Sequence, residues 1–464
     1  MAMDLRRPPV DILHMPAVHE GMSYIGHPPG WILRLGPSAR IGMHAASDDP
    51  ALQTRIENAI RRQSRSLLPA SIEVRSSPVV LHDAKFAQGI VQLGERFLLN
   101  GASGTRVRNR FEAENTEEWR MTRYLSAFRR TRSQGPARIG RHDPEQAGRL
   151  DIAIEVKNGF NYYHFLTETL GHLAHWLDDD SGRPITMQVG GRGDVKSFIP
   201  RFIKALFPAI SDRVVLEQRP RRYDEVRSVY SHQHYLYAAR HAQIDMVLGA
   251  ADVDPRLARL ALDPAQVKRM AMHSFDSSLR MLRNVALGRM REERPAAMPR
   301  LIWMGREEGT EARARGISGH EPLLEELKGR GFELIAFETL SPIEQIAAMN
   351  RADVVIAPHG AGLANMVFAR PDTHVIEIGT RQTQLHRWGD FLKCAHVAGC
   401  RYDTVFADVD GTEDGSQVPS MSSGHRGIRI GAPAIAKLIA ILDDRRAQPS
   451  SPAPSHDRAQ VAEA

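Results

Sequence analysis

The sequence has little cysteine and no long apolar run. Its 464 residues include two cysteines, Cys394 and Cys400, and no Cys-x-x-Cys pair, so we expect no disulfide framework and a reducing compartment. No apolar stretch approaches the roughly 18 residues that span a bilayer. The N-terminal residues also lack the apolar centre of a signal peptide. Together these absences predict a cytoplasmic protein.

A dinucleotide-binding fingerprint is missing as well. No Gly-x-Gly-x-x-Gly follows a first strand with an acidic residue about 20 positions later, which disfavours an oxidoreductase of the Rossmann type. The composition, with 42% hydrophobic and 25% charged residues, is that of a globular protein. The net charge of +6 suits an anionic partner such as a nucleoside diphosphate, an acidic glycan or a membrane surface. A nucleic-acid partner is not expected.

The chain divides into four parts by pattern. Residues 1–148 form an expected β-rich accessory region, which includes an arginine-crowded helix at 116–132 and a linker at 133–148. Strands then alternate with helical segments through two blocks, 149–299 and 300–447, a rhythm that predicts parallel sheets. Residues 448–464 are disordered by composition. The fold class is therefore α/β, with two Rossmann-like domains in series.

The arginine-rich segment 106–141 is a candidate for peripheral contact with an anionic membrane, at the inner face of the cytoplasmic membrane. A basic face that is simply solvated is the alternative interpretation. The sequence does not choose between the two.

A glycine-rich turn follows the predicted strand at 353–357, in the run DVVIAPHGAGLANMVF. Ligands of parallel sheets bind at the carboxyl ends of the strands, where a helix start offers unpaired backbone N–H groups to a phosphate. His359 is a candidate donor to a phosphate or sugar oxygen, and Gly360 and Gly362 let a pyrophosphate approach the backbone. A tight turn whose glycines serve geometry alone is the alternative. The regular strand–helix rhythm around the turn favours a binding site.

Charged residues follow two further strands of this block. Glu377 is expected to end the next strand, where an acid accepts the two ribose hydroxyls of a nucleotide; a surface salt bridge is the alternative. Arg306, Arg313 and Arg315 come just after the strand LIWMG. Guanidinium groups clamp phosphate oxygens, although a solvated loop is the alternative here. The run SPIEQ fits a helix capping box, with direct ligand contact as the alternative.

The segment NYYHFLTETLGHLAHWL, residues 161–177, has helical periodicity. Its leucines form one apolar stripe, and His164, Glu168, His172 and His175 are expected on the opposite face. His164 and Glu168 are four residues apart and can pair, which is the arrangement of a general base held by a carboxylate. Two alternatives stay open: a solvated amphipathic helix, and a metal site formed by residues 164, 168 and 172.

These motifs resemble those of glycosyltransferase family 61, whose bacterial members include capsular polysaccharide biosynthesis enzymes. The resemblance extends over residues 150–408. It rests on the arginine after LIWMG, the helix start ETLSPIEQ, the HGAGLAN turn and the strand HVIEI, and NYYHFLTETL is similar to an upstream family segment. Gly171 and His172 depart from the proline and arginine that family members often carry at that place, which affects the acceptor side of the assignment.

The resemblance implies a GT-B fold, in which two Rossmann-like domains face each other across a cleft, and an inverting mechanism without an obligatory metal or other cofactor. It places His164 and Glu168 beside the acceptor, one of them as the base. The donor-binding residues that we expect from the motifs and the resemblance are Arg306, Arg313, Arg315, His359, Gly360, Ala361, Gly362, Leu363, Asn365 and Glu377.

The function that we expect is transfer of a sugar from a nucleotide-sugar donor to a glycan acceptor, in the synthesis of a capsular or other surface polysaccharide. The alternative is a non-catalytic subunit of a polysaccharide assembly complex that binds nucleotide or glycan. Such a subunit would keep the arginines and the HGAGL turn but would need no base.

Overall fold

A computed structural model describes residues 13–14, 19–26, 32–87, 89–98, 140–156, 161–190, 193–233, 272–305, 316–411, 418 and 424–447. Several sequence predictions lie outside these residues. They are the helix at 116–132, nearly all of the arginine-rich segment, the three arginines at 306, 313 and 315, and the tail from 448. None of the described helices combines the length and apolarity that a membrane crossing needs.

The described strands contribute to three sheets. In chain order they are β1 (Leu13–His14), β2 (Met22–Ile25), β3 (Ile32–Pro37), β4 (Arg40–Ala45), β5 (Ala70–Val74), β6 (Ser76–Ala87), β7 (Ile90–Leu93), β8 (Arg96–Leu98), β9 (Gly140–His142), β10 (Ile152–Val156), β11 (Ile185–Val189), β12 (Val214–Glu217), β13 (Arg221–Ser231), β14 (Ser274–Asp276), β15 (Leu301–Gly305), β16 (Ile317–Ser318), β17 (Glu333–Ala336), β18 (Val354–Pro358), β19 (His374–Thr380), β20 (Arg401–Val409) and β21 (Ile428–Arg429).

Helices of two kinds connect them. The α-helices are α1 (Pro50–Ser64), α2 (Pro144–Gly148), α3 (Tyr162–Glu168), α4 (Phe198–Leu206), α5 (Pro208–Ser211), α6 (Ser277–Glu293), α7 (Glu321–Gly329), α8 (Pro342–Arg351), α9 (Arg381–His386), α10 (Leu392–Ala398) and α11 (Ala432–Ala447), and the 3-10 helices are Leu170–Trp176, Phe337–Thr339 and Ala361–Phe368.

The sheet that contains the glycine turn is parallel along its main path. Its strands run in the order β17-β15-β18-β19-β20, and each of these neighbours pairs in parallel. The short β21 lies antiparallel to the end of β20, and β16 lies parallel beside β21. The α/β class and the parallel pairing predicted for this block are therefore confirmed.

The upstream sheet is mixed. Strands β10, β11 and β12 pair in parallel as the sequence rhythm predicts. Beyond β10 the order continues through β13, β6, β7 and β8, and β13, β6, β7 and β8 pair antiparallel. A third, three-stranded sheet joins β3, β5 and β14.

The N-terminal residues do not form a layer of their own. Strand β6 pairs with β13 in the upstream sheet, and β4 pairs in parallel with β20 in the downstream sheet. The run SIEVRSSPVVLH is divided between β5 and β6, which belong to different sheets. The expected linker at 133–148 contains β9 and α2. The N-terminal part thus adds strands to the upstream sheet and to the downstream sheet. The domain boundaries at 148 and 299 stay predictions.

One apolar core joins the two strand–helix blocks. It includes Phe165 of α3 from the first block and Val355 and Leu363 from the second, all buried. Gly171 allows a close backbone contact in this region, because a Cβ there would lie 2.2 Å from the carbonyl oxygen of Ser278 on α6. Burial of apolar surface at roughly 25 cal/mol per Å² holds such a junction together. The blocks therefore pack against each other directly around α3.

Candidate functional site

The glycine turn lies at the carboxyl end of β18, as the sequence predicts. His359 follows this strand, and its backbone N–H donates to the carbonyl of Ile378 on β19 at 2.8 Å. The helix that follows is a 3-10 helix starting at Ala361. Gly362 lies against the end of β15, since a Cβ there would be 3.2 Å from the sulfur of Met304. The close approach of the 3-10 helix to the Met304 side chain, rather than an unusual backbone angle, favours glycine at 362.

His359 forms a buried pair with Glu377. Nδ1 of His359 contacts Oε1 of Glu377, and Oε2 of Glu377 accepts hydrogen bonds from the hydroxyls of Tyr402 and Thr404, the latter at 3.4 Å. A carboxylate facing Nδ1 keeps the proton on that nitrogen and turns Nε2 away from Glu377. Burial raises the pKa of Tyr402 well above its ordinary value, and the neighbouring Glu377 adds to the rise. Tyr402 is therefore a neutral donor.

The expected strand end at Glu377 is wrong, while its contact with a ribose stays a prediction. Strand β19 continues to Thr380, so Glu377 lies inside the strand and is only 4% exposed. Both of its oxygens already accept hydrogen bonds from protein groups. The sequence suggested a strand end because the run HVIEIG ends in glycine, but pairing with β20 carries the strand further. Its role is to hold His359.

The donor-loop residues differ in their access to a ligand. The side chains of Leu363 and Asn365 are buried, at 1% exposure each, and their assignment to the donor site stays a prediction. Leucine at 363 packs in the core, because the 3-10 helix turns that face inward. Ala361 and Gly362 are partly exposed, and their backbone is the accessible part of the turn.

A buried hydrogen-bond network ties the turn to α3. The hydroxyl of Tyr162 donates to Asn365 Oδ1 at 2.9 Å and lies 3.2 Å from Gln345 Oε1. The amide of Asn365 donates in turn to the carbonyl of Gly362 at 3.1 Å. Burial raises the pKa of Tyr162, so the phenol stays protonated. The network fixes the turn relative to α3.

The run SPIEQ forms the capping box that its sequence predicts. The Ser341 hydroxyl accepts from the backbone N–H of Glu344 at 3.3 Å, and the Glu344 carboxylate accepts from the backbone N–H of Ser341 at 2.8 Å. Both side chains therefore start α8. Gln345, the last residue of the run, contributes to the site by its contact with Tyr162.

The two residues of the predicted pair on α3 lie within ion-pair distance, although their geometry is not that of a hydrogen bond. His164 Nδ1 and Glu168 Oε1 are 3.2 Å apart, with side chains 24% and 14% exposed. A third group, Lys393 of α10, places its Nζ 3.3 Å from the same Oε1 and 4.9 Å from the centre of the Tyr163 ring. Burial alone lowers the pKa of Lys393, but Tyr163 and Glu168 outweigh it, so the net shift is upward and the ammonium is kept. Lys393 is 225 positions from Glu168, and no sequence signal linked the two.

The polar face expected beyond Glu168 is wrong. Helix α3 ends at Glu168, and the chain continues as the 3-10 helix Leu170–Trp176, which has fewer residues per turn and so redirects its side chains. His172 is buried. His175 Nε2 lies 2.9 Å from the hydroxyl of Ser76, and burial lowers the pKa of His175. The metal alternative thus loses its third ligand, and within the described ranges no three His, Cys, Asp or Glu side chains are grouped to hold a metal.

The segment that starts α10 joins the two pairs. The Tyr163 hydroxyl donates to the backbone carbonyl of Asp390. The ring of Phe391 lies 5.4 Å from the ring of Tyr163 and 5.4 Å from that of His359. His164 and His359 both act on the nearby Asp390 carboxyl, so the two histidines lie on the same side of the junction. The predicted acceptor-side and donor-side residues converge on one place.

Asp390 is a further titratable group at this place. Burial raises the pKa of the Asp390 carboxyl, although Arg387, His359, Lys393 and His164 act against the rise. Asp390 therefore lies among the charged groups of the candidate site, including both of its histidines. Sequence reasoning missed Asp390 because it follows a tryptophan–glycine turn without a recognisable motif. A carboxylate with a raised pKa beside two histidines is a second candidate for proton transfer.

Comparison with known families is consistent with this geometry. The family described as Glycosyltransferase 61 matches residues 162–376. No curated protein matches the chain. The matched segment contains the His164–Glu168 pair, the capping box and the glycine turn, and it stops one residue before Glu377. The similarity supports assignment to this family and supports glycosyltransferase activity.

Proposed function

We propose that the protein is an inverting glycosyltransferase that moves a sugar from a nucleotide-sugar donor to a glycan acceptor. The observation that carries the proposal is the convergence of two histidine–carboxylate pairs. His164 pairs with Glu168 and His359 with Glu377, and both histidines act on the Asp390 carboxyl next to Phe391. Ligands of parallel sheets bind at the carboxyl edge, where His359 follows β18. Much of the site also lies in the segment that is similar to Glycosyltransferase 61.

The acceptor hydroxyl requires a base, and His164 is the better placed of the two residues on α3. Glu168 already faces two cationic or protonatable groups, His164 and Lys393. Both of these contacts are made to the same carboxylate oxygen, Oε1. Nε2 of His164 accepts the hydroxyl proton, the acceptor oxygen bonds to the anomeric carbon, and the bond to the nucleoside diphosphate breaks. Glu168 orients the imidazole and stabilises its charged form.

The leaving diphosphate carries away the bonding electron pair and needs positive charge around it. Arg306 follows Gly305, the last residue of β15, and Met304 of this strand lies against Gly362. The last described residues of β15 therefore lie next to the glycine turn. Arg313 and Arg315 lie further along the same segment. In this proposal the three guanidinium groups and the accessible backbone at Ala361 and Gly362 receive the diphosphate.

The wider setting follows the same proposal. The two strand–helix blocks form a GT-B-like arrangement, and transfer proceeds without an obligatory metal or other cofactor. The reaction takes place in the cytoplasm and serves the synthesis of a capsular or other surface polysaccharide. The segment 106–141 makes peripheral contact with an anionic membrane, which co-sedimentation with anionic liposomes at low salt would test.

Replacement of His164 tests the catalytic assignment. With a donor found by screening, His164→Ala should lower turnover by roughly 10²–10⁴-fold and leave donor affinity nearly unchanged. The matched control is His82→Ala, because His82 forms a similar pair with Glu225 at 3.0 Å on another sheet. Full turnover in His164→Ala together with loss in Asp390→Asn would move the base to Asp390.

Thermal-shift measurements with nucleoside diphosphates test the donor site. A ligand at about 100 times its dissociation constant adds about 2.7 kcal/mol of stability. The shift should persist in EDTA. Donor binding by a chain that transfers no sugar to any acceptor would instead favour the non-catalytic subunit.

A further inference from the structure

A third histidine lies against the pair formed by His359 and Glu377. The ring of His425 is 5.9 Å from the ring of His359, centre to centre, and the two ring planes are inclined by 26°, which is a stacked arrangement. The ring of Phe391 contacts the same imidazole edge-on at 5.4 Å. The imidazole of His359 is therefore bordered by two rings, one from the residue before α10 and one from the segment before β21.

The backbone around His425 is held by one buried side chain. Gln382 of α9 is 1% exposed. Its Nε2 donates to the carbonyl of Gly424 at 2.9 Å, and its Oε1 accepts from the backbone N–H of Arg426 at 2.9 Å. Both ends of a single amide thus bind the residues that flank His425. Because α9 follows β19 directly, these two hydrogen bonds tie His425 to the strand that carries Glu377.

His425 is also more accessible than the histidine that it contacts. The His359 side chain is 8% exposed, whereas His425 is partly exposed and its two neighbours in sequence, Gly424 and Arg426, are exposed. His425 thus reaches both solvent and the His359 ring. An accessible imidazole therefore lies over a buried one, in a position where a ligand bound near His359 also meets His425.

The glycine turn relates His425 to the donor. The accessible backbone of this turn starts at Ala361, two residues after His359, and it receives the diphosphate in the proposed function. An imidazole N–H donates to phosphate oxygens, and more strongly when the ring is charged. We propose that His425 is a donor-binding residue, whose imidazole donates a hydrogen bond to a phosphate oxygen of the nucleoside diphosphate. The proposal rests on the proposed transferase function and extends the site beyond residue 376, where the similarity to Glycosyltransferase 61 ends.

Calorimetric titration with inorganic pyrophosphate, uridine diphosphate and guanosine diphosphate tests this residue. His425→Phe keeps a ring against His359 but has no N–H group, so it should weaken binding of all three ligands by about tenfold or more. His425→Gln keeps an N–H donor and should retain part of the affinity. The matched control is His82→Phe, which makes the same change at a partly exposed histidine of β6 in the upstream sheet. Urea unfolding of each variant without ligand separates a loss of binding from a loss of folding.

The outcomes separate this proposal from the function on which it rests. Wild-type affinity in His425→Phe, or an equal loss in His425→Gln or in His82→Phe, would overturn hydrogen bonding by His425 and leave the transferase function standing. A loss confined to the two nucleotides would place His425 at the ribose or base and would also overturn the phosphate contact. Failure of the wild-type protein to bind any of the three ligands would instead remove the donor site, and the transferase function and this proposal would fall together.

Discussion

The pair formed by Lys393 and Glu168 allows a quantitative prediction. Their charged atoms are 3.3 Å apart and the two side chains are 15% and 14% exposed. At this distance the Coulomb energy is about 5 kcal/mol for an effective dielectric constant of about 20. Removing one partner of a buried pair typically costs 3–5 kcal/mol, because the other charge stays buried. We therefore expect Lys393→Met to lower the free energy of unfolding by about 3–5 kcal/mol.

The assay is urea unfolding of four proteins: wild type, Lys393→Met, Glu168→Gln and the double variant. Removing both charges leaves no unpaired ion, so the double variant should be more stable than the sum of the single losses predicts. Arg149→Met is the control. Its partner Glu145 and Arg149 itself are highly exposed, so the change should cost less than about 1 kcal/mol. Losses that add within about 0.5 kcal/mol would refute a coupled buried pair.

The same variant has a consequence for catalysis. Without the ammonium of Lys393, Glu168 acts on His164 alone, and the charged imidazole is stabilised more strongly. The acid limb of the pH–rate profile should therefore move to higher pH in Lys393→Met. An unchanged limb would separate Lys393 from the base and leave it a purely structural residue.

Three further predictions concern single residues. Tyr162→Phe removes the hydroxyl that donates to Asn365 and leaves a buried acceptor without that donor. Urea unfolding should therefore show a free energy of unfolding that is lower by about 1–3 kcal/mol. An unchanged free energy would mean that water replaces the hydroxyl. Glu377→Gln should reduce transfer and donor binding together, since the carboxylate holds His359; turnover equal to wild type would contradict this. Burial lowers the pKa of His396 from 6.5 to about 3 in the folded protein. As the pH decreases, the unfolded chain therefore binds a proton at this residue before the folded protein does. The free energy of unfolding consequently falls between about pH 6.5 and pH 3. At pH 5 this residue lowers the free energy of unfolding by about 2 kcal/mol relative to neutral pH. In His396→Gln the midpoint of urea unfolding should therefore change less between pH 7 and pH 5 than in the wild type.

Several local elements of the two blocks could be predicted because each carries its own signal. The strands at LIWMG and DVVIA have the apolar runs of buried parallel strands, and the structure has them as β15 and β18. The capping box depends on residues three apart, and the spacing of His164 and Glu168 depends on one helical turn. In all of these, the interacting residues are close in sequence.

The long-range contacts could not be predicted in this way. Strand β4 pairs with β20 across most of the chain, and nothing in the sequence RIGMHA indicates a partner. The pairing of β19 with β20 extends β19 past Glu377, so that residue lies inside the strand rather than at its end. The switch from α3 to a 3-10 helix depends on packing against α6 at Gly171, so the helical period overestimated the length of α3.

The site is completed by residues that lie beyond the segment similar to Glycosyltransferase 61. That segment ends at residue 376, whereas the partner of His359 is Glu377 and the counter-charge of Glu168 comes from Lys393. The two histidines also differ in access: the His164 side chain is 24% exposed and that of His359 is 8% exposed. An exposed imidazole can meet an acceptor hydroxyl and exchange its proton with solvent, while a buried one held by a carboxylate and by Phe391 keeps a fixed direction. This difference in access supports the proposal that His164 transfers the proton and that His359 positions the donor.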